Sequence, residues 1–150
     1  MKRILLALCA FVLTSSLMAQ TQVNQVAKSK KADELVKFSE NKFDFGKIKQ
    51  GVPVTHDFAF QNVGSQPVVI ESASASCGCT TPSWPKTPVT KSKNDKISAG
   101  FNAASPGPFD KTITVKVAGF DLPLELRITG EVLSVADYAK YEATKGKKNG

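Results

Sequence analysis

A chain of 150 residues with three cysteines is long enough to build one domain around its own core, without disulfide staples. Its 20 basic and 13 acidic residues leave a formal charge of +7. That excess does not mark a nucleic-acid binder: Lys28, Lys30, Lys31, Lys140, Lys145, Lys147 and Lys148 lie in the tails, with no aromatic–basic interleaving and no nucleic-acid motif.

The N-terminus has the three-part layout of a secretory signal peptide, residues 1–19. Lys2 and Arg3 are positive, Ile4 to Leu13 are mostly apolar, and Leu17-Met18-Ala19 ends in a small residue. Cleavage is expected after Ala19, with export to the periplasm or outward. The ten-residue apolar run falls short of the roughly 20 residues that span a bilayer, so the processed chain is not expected to be transmembrane. Removing the signal takes away Cys9, Met1 and Met18. Cys77, Cys79 and a single histidine, His56, remain.

Residues 20–35 are polar, lack periodicity and read as a linker. From Val36 to Val132 turn signals recur at short intervals. Phe43 and Phe45 alternate before Gly46. Val54, His56, Phe58 and Phe60 share one face by period-two alternation, as do Ile97, Ala99 and Phe101. Ile113, Val115 and Val117 oppose Thr112, Thr114 and Lys116. Leu122, Leu124, Leu126 and Ile128 alternate with Pro123, Glu125, Arg127 and Thr129. Short half-buried strands separated by Gly and Pro turns predict an all-β, antiparallel β-sandwich as a single domain, 36–132. The basic C-terminal tail, 133–150, has room for a brief helix over 137–143 with Tyr138 and Tyr141 on one side.

The catalytic inventory is thin, and no enzymatic activity is expected. His56 and Asp57 are adjacent on a strand, so their side chains point to opposite faces and form no dyad. His56 is expected at the rim of the core with its ring hydrogen-bonded. Ser72, Ser74 and Ser76 alternate but lack the glycines of a nucleophile elbow.

The run Ser76-Cys77-Gly78-Cys79-Thr80-Thr81-Pro82 admits three readings. The first is structural: a local disulfide or two half-buried thiols, with Gly78 letting the chain bend. The second is thiol–disulfide exchange, because a short exposed bridge is readily reduced. The third is a metal site, in which Cys77 and Cys79 hold zinc or copper with His56 as a third ligand. Trp84, the single tryptophan, is a core or lid residue, or a partner contact if exposed.

Several stretches resemble the exported bacterial family called domain of unknown function 1573. They are Asp44-Phe45-Gly46-Lys47-Ile48, Phe58-Ala59-Phe60-Gln61-Asn62-Val63-Gly64, the block Ser76-Cys77-Gly78-Cys79-Thr80-Thr81-Pro82-Ser83-Trp84, and the ending Leu126-Arg127-Ile128-Thr129-Gly130-Glu131-Val132. The resemblance implies an immunoglobulin-like sandwich, similar to interaction modules of ciliary and centrosomal proteins. It implies no catalytic residue and no cofactor. Two segments depart from the pattern. Thr90 to Lys96 replaces a Pro-Gly turn and suggests a longer or looser loop, and Ala118-Gly119 replaces a Ser-Asn pair. The expectation is a non-enzymatic exported module of the cell envelope, with a protein or envelope-polymer partner. The alternative is a small metal-binding or thiol-redox protein using Cys77 and Cys79.

Overall fold

The structure, a computed structural model, describes residues 31–148. The expected signal peptide and most of the linker lie outside them. Eight strands follow in chain order: β1 (Val36–Phe38), β2 (Lys42–Lys49), β3 (Val54–Asn62), β4 (Ile70–Ala75), β5 (Thr80–Ser83), β6 (Asn94–Phe101), β7 (Gly107–Val117) and β8 (Leu124–Leu133). They form two four-stranded sheets, ordered β1-β3-β6-β5 and β2-β8-β7-β4. The alternation in the sequence decides which side faces in. Phe58, Phe60, Ile97, Ala99 and Phe101 line the inner face of one sheet; Ile113, Val115, Val117, Leu126 and Ile128 line the other. Each large apolar side chain so buried contributes roughly 1.5–3 kcal/mol. The core reaches past the expected domain start, since Ala32 is buried in a short 3₁₀ turn, Ala32–Glu34, and Leu35 packs beside it.

One pairing departs from an all-antiparallel sandwich. β2 runs parallel to β8, from Lys42 opposite Arg127 to Lys49 opposite Leu133. A parallel pair needs a long crossover, and here the intervening strands of both sheets supply it. The register slips between Asp44 and Lys47. There Gly46 takes φ +64° and donates its N–H to Asp44 Oδ1 at 2.9 Å. Opposite it, a Cβ on Gly130 would lie 2.8 Å from the Gly46 carbonyl oxygen and 2.7 Å from Phe109 Cζ. Only glycine at 130 allows that approach.

Asn62, fully buried at the end of β3, ties the turns together. Its Nδ2 donates to the carbonyls of Gln66 and Val89, both at 2.8 Å, and its Oδ1 accepts from Gly64 N–H at 2.9 Å. Its backbone N–H donates to Lys93 O and its carbonyl accepts from Ser92 N–H. The Thr90 segment is therefore not the loose loop the sequence suggests. Lys93 N–H closes a tight turn onto Thr90 O, Ser92 takes φ 63°, and β6 begins at Asn94.

The C-terminal segment forms one helix, α1 (Val135–Lys148), longer than the brief helix expected. Ser134 caps it: its Oγ accepts from Asp137 N–H at 3.1 Å and donates to Asp137 Oδ2 at 2.7 Å. The Ser134 hydroxyl, then Lys140, hold the Asp137 carboxyl below its usual range. Tyr138 and Tyr141 lie together as expected, ring centroids 6.0 Å apart, and Lys47 Nζ sits 5.3 Å from the Tyr141 centroid.

Two substitutions test these constraints by urea unfolding. Asn62→Ala strands the buried Val89 carbonyl and Gly64 amide together with the half-buried Gln66 carbonyl, and is expected to cost about 3 kcal/mol. Gly130→Ala forces the Phe109 ring and the β2 backbone apart, at a cost of about 1–3 kcal/mol. A wild-type midpoint in either variant would contradict the packing described.

Candidate functional site

The Cys-Gly-Cys run lies where the chain changes sheets. β4 pairs with β7, and its ladder ends where Ser76 N–H donates to Thr112 O at 3.0 Å. Cys77 to Cys79 then turn, with Thr80 N–H reaching back to Cys77 O. β5 starts at Thr80, which pairs with Phe101 of β6 in the opposite sheet. Asn102 N–H holds the exit by donating to Cys79 O at 3.1 Å. β4 and β5 end their respective sheets on the same flank of the sandwich, and they touch.

The turn brings the two Cα atoms to 5.4 Å, and Cys77 and Cys79 are joined as a disulfide. Both cysteines are half-buried. Cys79 packs against the core, while Cys77 Sγ lies 3.7 Å from the hydroxyl of buried Thr80. Gly78 between them is exposed. Its φ is not positive, and beyond the two cysteines themselves a Cβ built on it meets no atom within 4 Å.

The surrounding fold already closes the excursion that carries this corner. Val68 and Val89, on either side of it, exchange reciprocal hydrogen bonds of 2.9 and 2.8 Å. Both are buried, and the Asn62 amide grips Val89 O from behind. The disulfide therefore closes a three-residue ring inside a loop whose ends are fixed by other means. On chain-entropy grounds so small a ring contributes about 1.6 kcal/mol.

The structure does not bring His56 to the cysteines. β6 separates His56 on β3 from β5, and both sulfurs are committed to each other. The His56 ring stacks on Phe43 with centroids 3.6 Å apart, meets Phe58 edge-on, and donates from Nε2 to Glu40 Oε1 at 3.0 Å. Its side chain is 16% exposed, a core-rim position. Among the described residues no three His, Cys, Asp or Glu side chains converge. Asp57 points to the outer face. There Lys96, at 2.5 Å, and then the Ser98 hydroxyl hold its carboxyl below the usual range.

Trp84 follows β5 and is half-buried against the core. Lys86 Nζ sits 3.2 Å from its ring centroid, a cation–π contact at the surface. Sequence reasoning singled out the cysteines and the tryptophan but not Thr80, Lys86 or Glu40. Thr80 stands within the distinctive block, but its inward hydroxyl depends on the turn geometry. Glu40 lies 16 residues from His56, beyond any local pattern.

Two stacked four-stranded sheets that exchange chain at such corners define an immunoglobulin-like β-sandwich fold. Within that class, the chain belongs to the family described as protein of unknown function (DUF1573), whose profile matches residues 36–132. No curated protein matches it. Among solved structures it is similar to PapD-like domain 7 of human CEP192, with TM-score 0.58 and 12% identity, over 73% of this chain and 92% of that one. A protein of unknown function from Porphyromonas gingivalis matches with TM-score 0.57 and 12% identity, over 65% of this chain and 46% of that one. The VesB protease of Vibrio cholerae matches with TM-score 0.53 and 13% identity, over 68% and 33%. The chain thus spans less than half the length of the latter two, and all three likenesses are of fold alone.

Replacing both Cys77 and Cys79 by Ser is expected to lower stability by no more than about 1.6 kcal/mol, read from urea unfolding. A loss several times larger would make the bond a structural staple.

Proposed function

We propose that this protein is a non-enzymatic interaction module of the cell envelope, exported by cleavage after Ala19. The observation that carries the reading is the open flank formed by β4 and β5. Each of these strands has a neighbour on one side only, and the Trp84–Lys86 pair stands just beyond β5. Edge strands offer unpaired backbone groups to a partner, and a half-buried tryptophan beside a cation is the side-chain chemistry of an interface anchor. Pro82 denies β5 one donor, so β4 is the more complete edge for an added strand. The fold likeness to a PapD-like domain and the membership of a family of unknown function agree with a module that works by contact. No helix among the described residues is long and apolar enough to cross a membrane. The partner is a protein or an envelope polymer.

Site-specific photo-crosslinking in the native host tests this. A crosslinker at exposed Ser74 on β4 or Thr87 beyond Trp84 is expected to capture one discrete envelope partner. A crosslinker at Asp121, in the loop between β7 and β8, is expected to capture none. Trp84→Ala should reduce the yield by at least about tenfold without unfolding the sandwich, in keeping with loss of an aromatic anchor. The intact mass of the exported protein should begin at Gln20. Equal, diffuse crosslinking from all positions, or retention of residues 1–19 in the cytoplasm, would refute the reading.

A further inference from the structure

The Cys77–Gly78–Cys79 corner has chemistry that the sandwich does not need. The excursion that carries it is already closed by the Val68–Val89 pair. Gly78 has neither a positive φ nor a crowding neighbour, so the fold itself does not require a glycine there. Gly78 is itself exposed and places no side chain between the two cysteines. Thr80 is a buried residue, and among the described residues the one side-chain hydrogen-bond partner of its hydroxyl is Cys77 Sγ.

We propose that the Cys77–Cys79 bond is a thiol–disulfide exchange site that accepts two electrons from a dithiol. A partner thiolate attacks Cys79 Sγ, the bond to Cys77 breaks, and its electron pair leaves on Cys77 Sγ. The direction follows from the surroundings. A thiolate on Cys77 receives a hydrogen bond from the Thr80 hydroxyl, whereas Cys79 packs against the core, where charge is costly. In the mixed disulfide Cys79 carries no charge. The partner's second thiolate then attacks its own sulfur in that mixed disulfide, closing the partner's disulfide and releasing Cys79. The two protons lost by the partner's thiols end on Cys77 and Cys79. The partner is oxidised by two electrons and the corner reduced by two.

Short ring size and partial exposure make such a bond an oxidising one, in contrast to structural disulfides, which resist the glutathione pool. Opening it leaves the backbone ties of the corner in place: Ser76 to Thr112, Cys79 to Asn102 and Val68 to Val89. The corner can therefore cycle without unfolding the sheets. This chemistry does not rest on the interaction reading, because exchange with a small thiol needs no envelope partner.

The test equilibrates the purified, exported, oxidised protein with glutathione buffers of stepped reduced-to-oxidised ratio. Samples are then acid-quenched, alkylated and weighed intact. Two alkylatable thiols should appear together within the millimolar glutathione range, revert with oxidised glutathione, and leave the far-ultraviolet circular dichroism unchanged. A bond that stays closed at equilibrium, or whose opening unfolds the sandwich, overturns the proposal. Thr80→Val should slow glutathione attack by about tenfold and move the pH profile of Cys77 alkylation upward, and Thr80→Ser should restore both. Gly78→Val should slow attack while leaving the urea midpoint in place. A wild-type pH profile in Thr80→Val would overturn Cys77 as the leaving sulfur.

Discussion

The buried amide of Asn62 is the contact on which the shape of the functional flank depends. One side chain satisfies the Gln66 and Val89 carbonyls and the Gly64 amide, while its backbone engages Ser92 and Lys93. Those partners come from two separate turns and the Val68–Val89 bridge. A buried polar network with every member satisfied is rigid, because each broken bond leaves an unpaired group in a medium that cannot solvate it. By fixing Val89 opposite Val68, Asn62 defines where the chain leaves the core and where it returns. Everything between, including β4, the cysteine corner, β5 and Trp84, hangs from that clamp. The corner is thus held from its base, and the disulfide at its tip adds little further constraint.

The strand pattern was readable because burial in a sandwich imposes a period of two on each strand. Phe58 and Phe60, Ile113, Val115 and Val117, and Leu126 with Ile128 all face inward as the alternation requires. The same logic fails at Leu122. It continues the alternation but lies before β8, exposed, in an isolated bridge to Lys31. The antiparallel pairings match the expectation, but the parallel direction of β2 was not readable. Alternation is the same for parallel and antiparallel pairs, and the parallel pairing of β2 with β8 depends on the Gly46 bulge meeting a bare Gly130. That is a contact between residues 84 positions apart, so no local pattern carries it. The Thr90 turn misled for a related reason. Its lack of a Pro-Gly turn suggests slack, yet its tightness comes from the Asn62 backbone, which belongs to another strand.

The candidate site divides along the same line. The cysteines and Trp84 were visible because their residue types are rare in this chain. Their roles were not, because those depend on what the fold brings near. Chain order leaves His56 free to meet the cysteines, but sheet order sets β6 between them, and the ring goes instead to Phe43 and Glu40. Thr80 is one more threonine in a Thr-Thr pair until the sheet switch turns it inward and leaves Thr81 exposed.

The two properties proposed for the flank, contact and exchange, would both follow from one architectural feature. A chain that passes from one sheet to the other at an open side exposes two edges and needs a tight corner between them. A corner built only for closure would be served by any compatible turn residues, since the clamp at Val68 and Val89 already bears the load. Placing a three-residue disulfide there puts a reversible covalent bond between two edge strands, within the surface that also carries Trp84 and Lys86. Reduction would change the charge and freedom of that surface locally, while the Asn62 hydrogen bonds at its base do not involve the cysteines. A bond in the middle of either sheet could not do this, because the ladders on both sides would resist the thiol and transmit the strain.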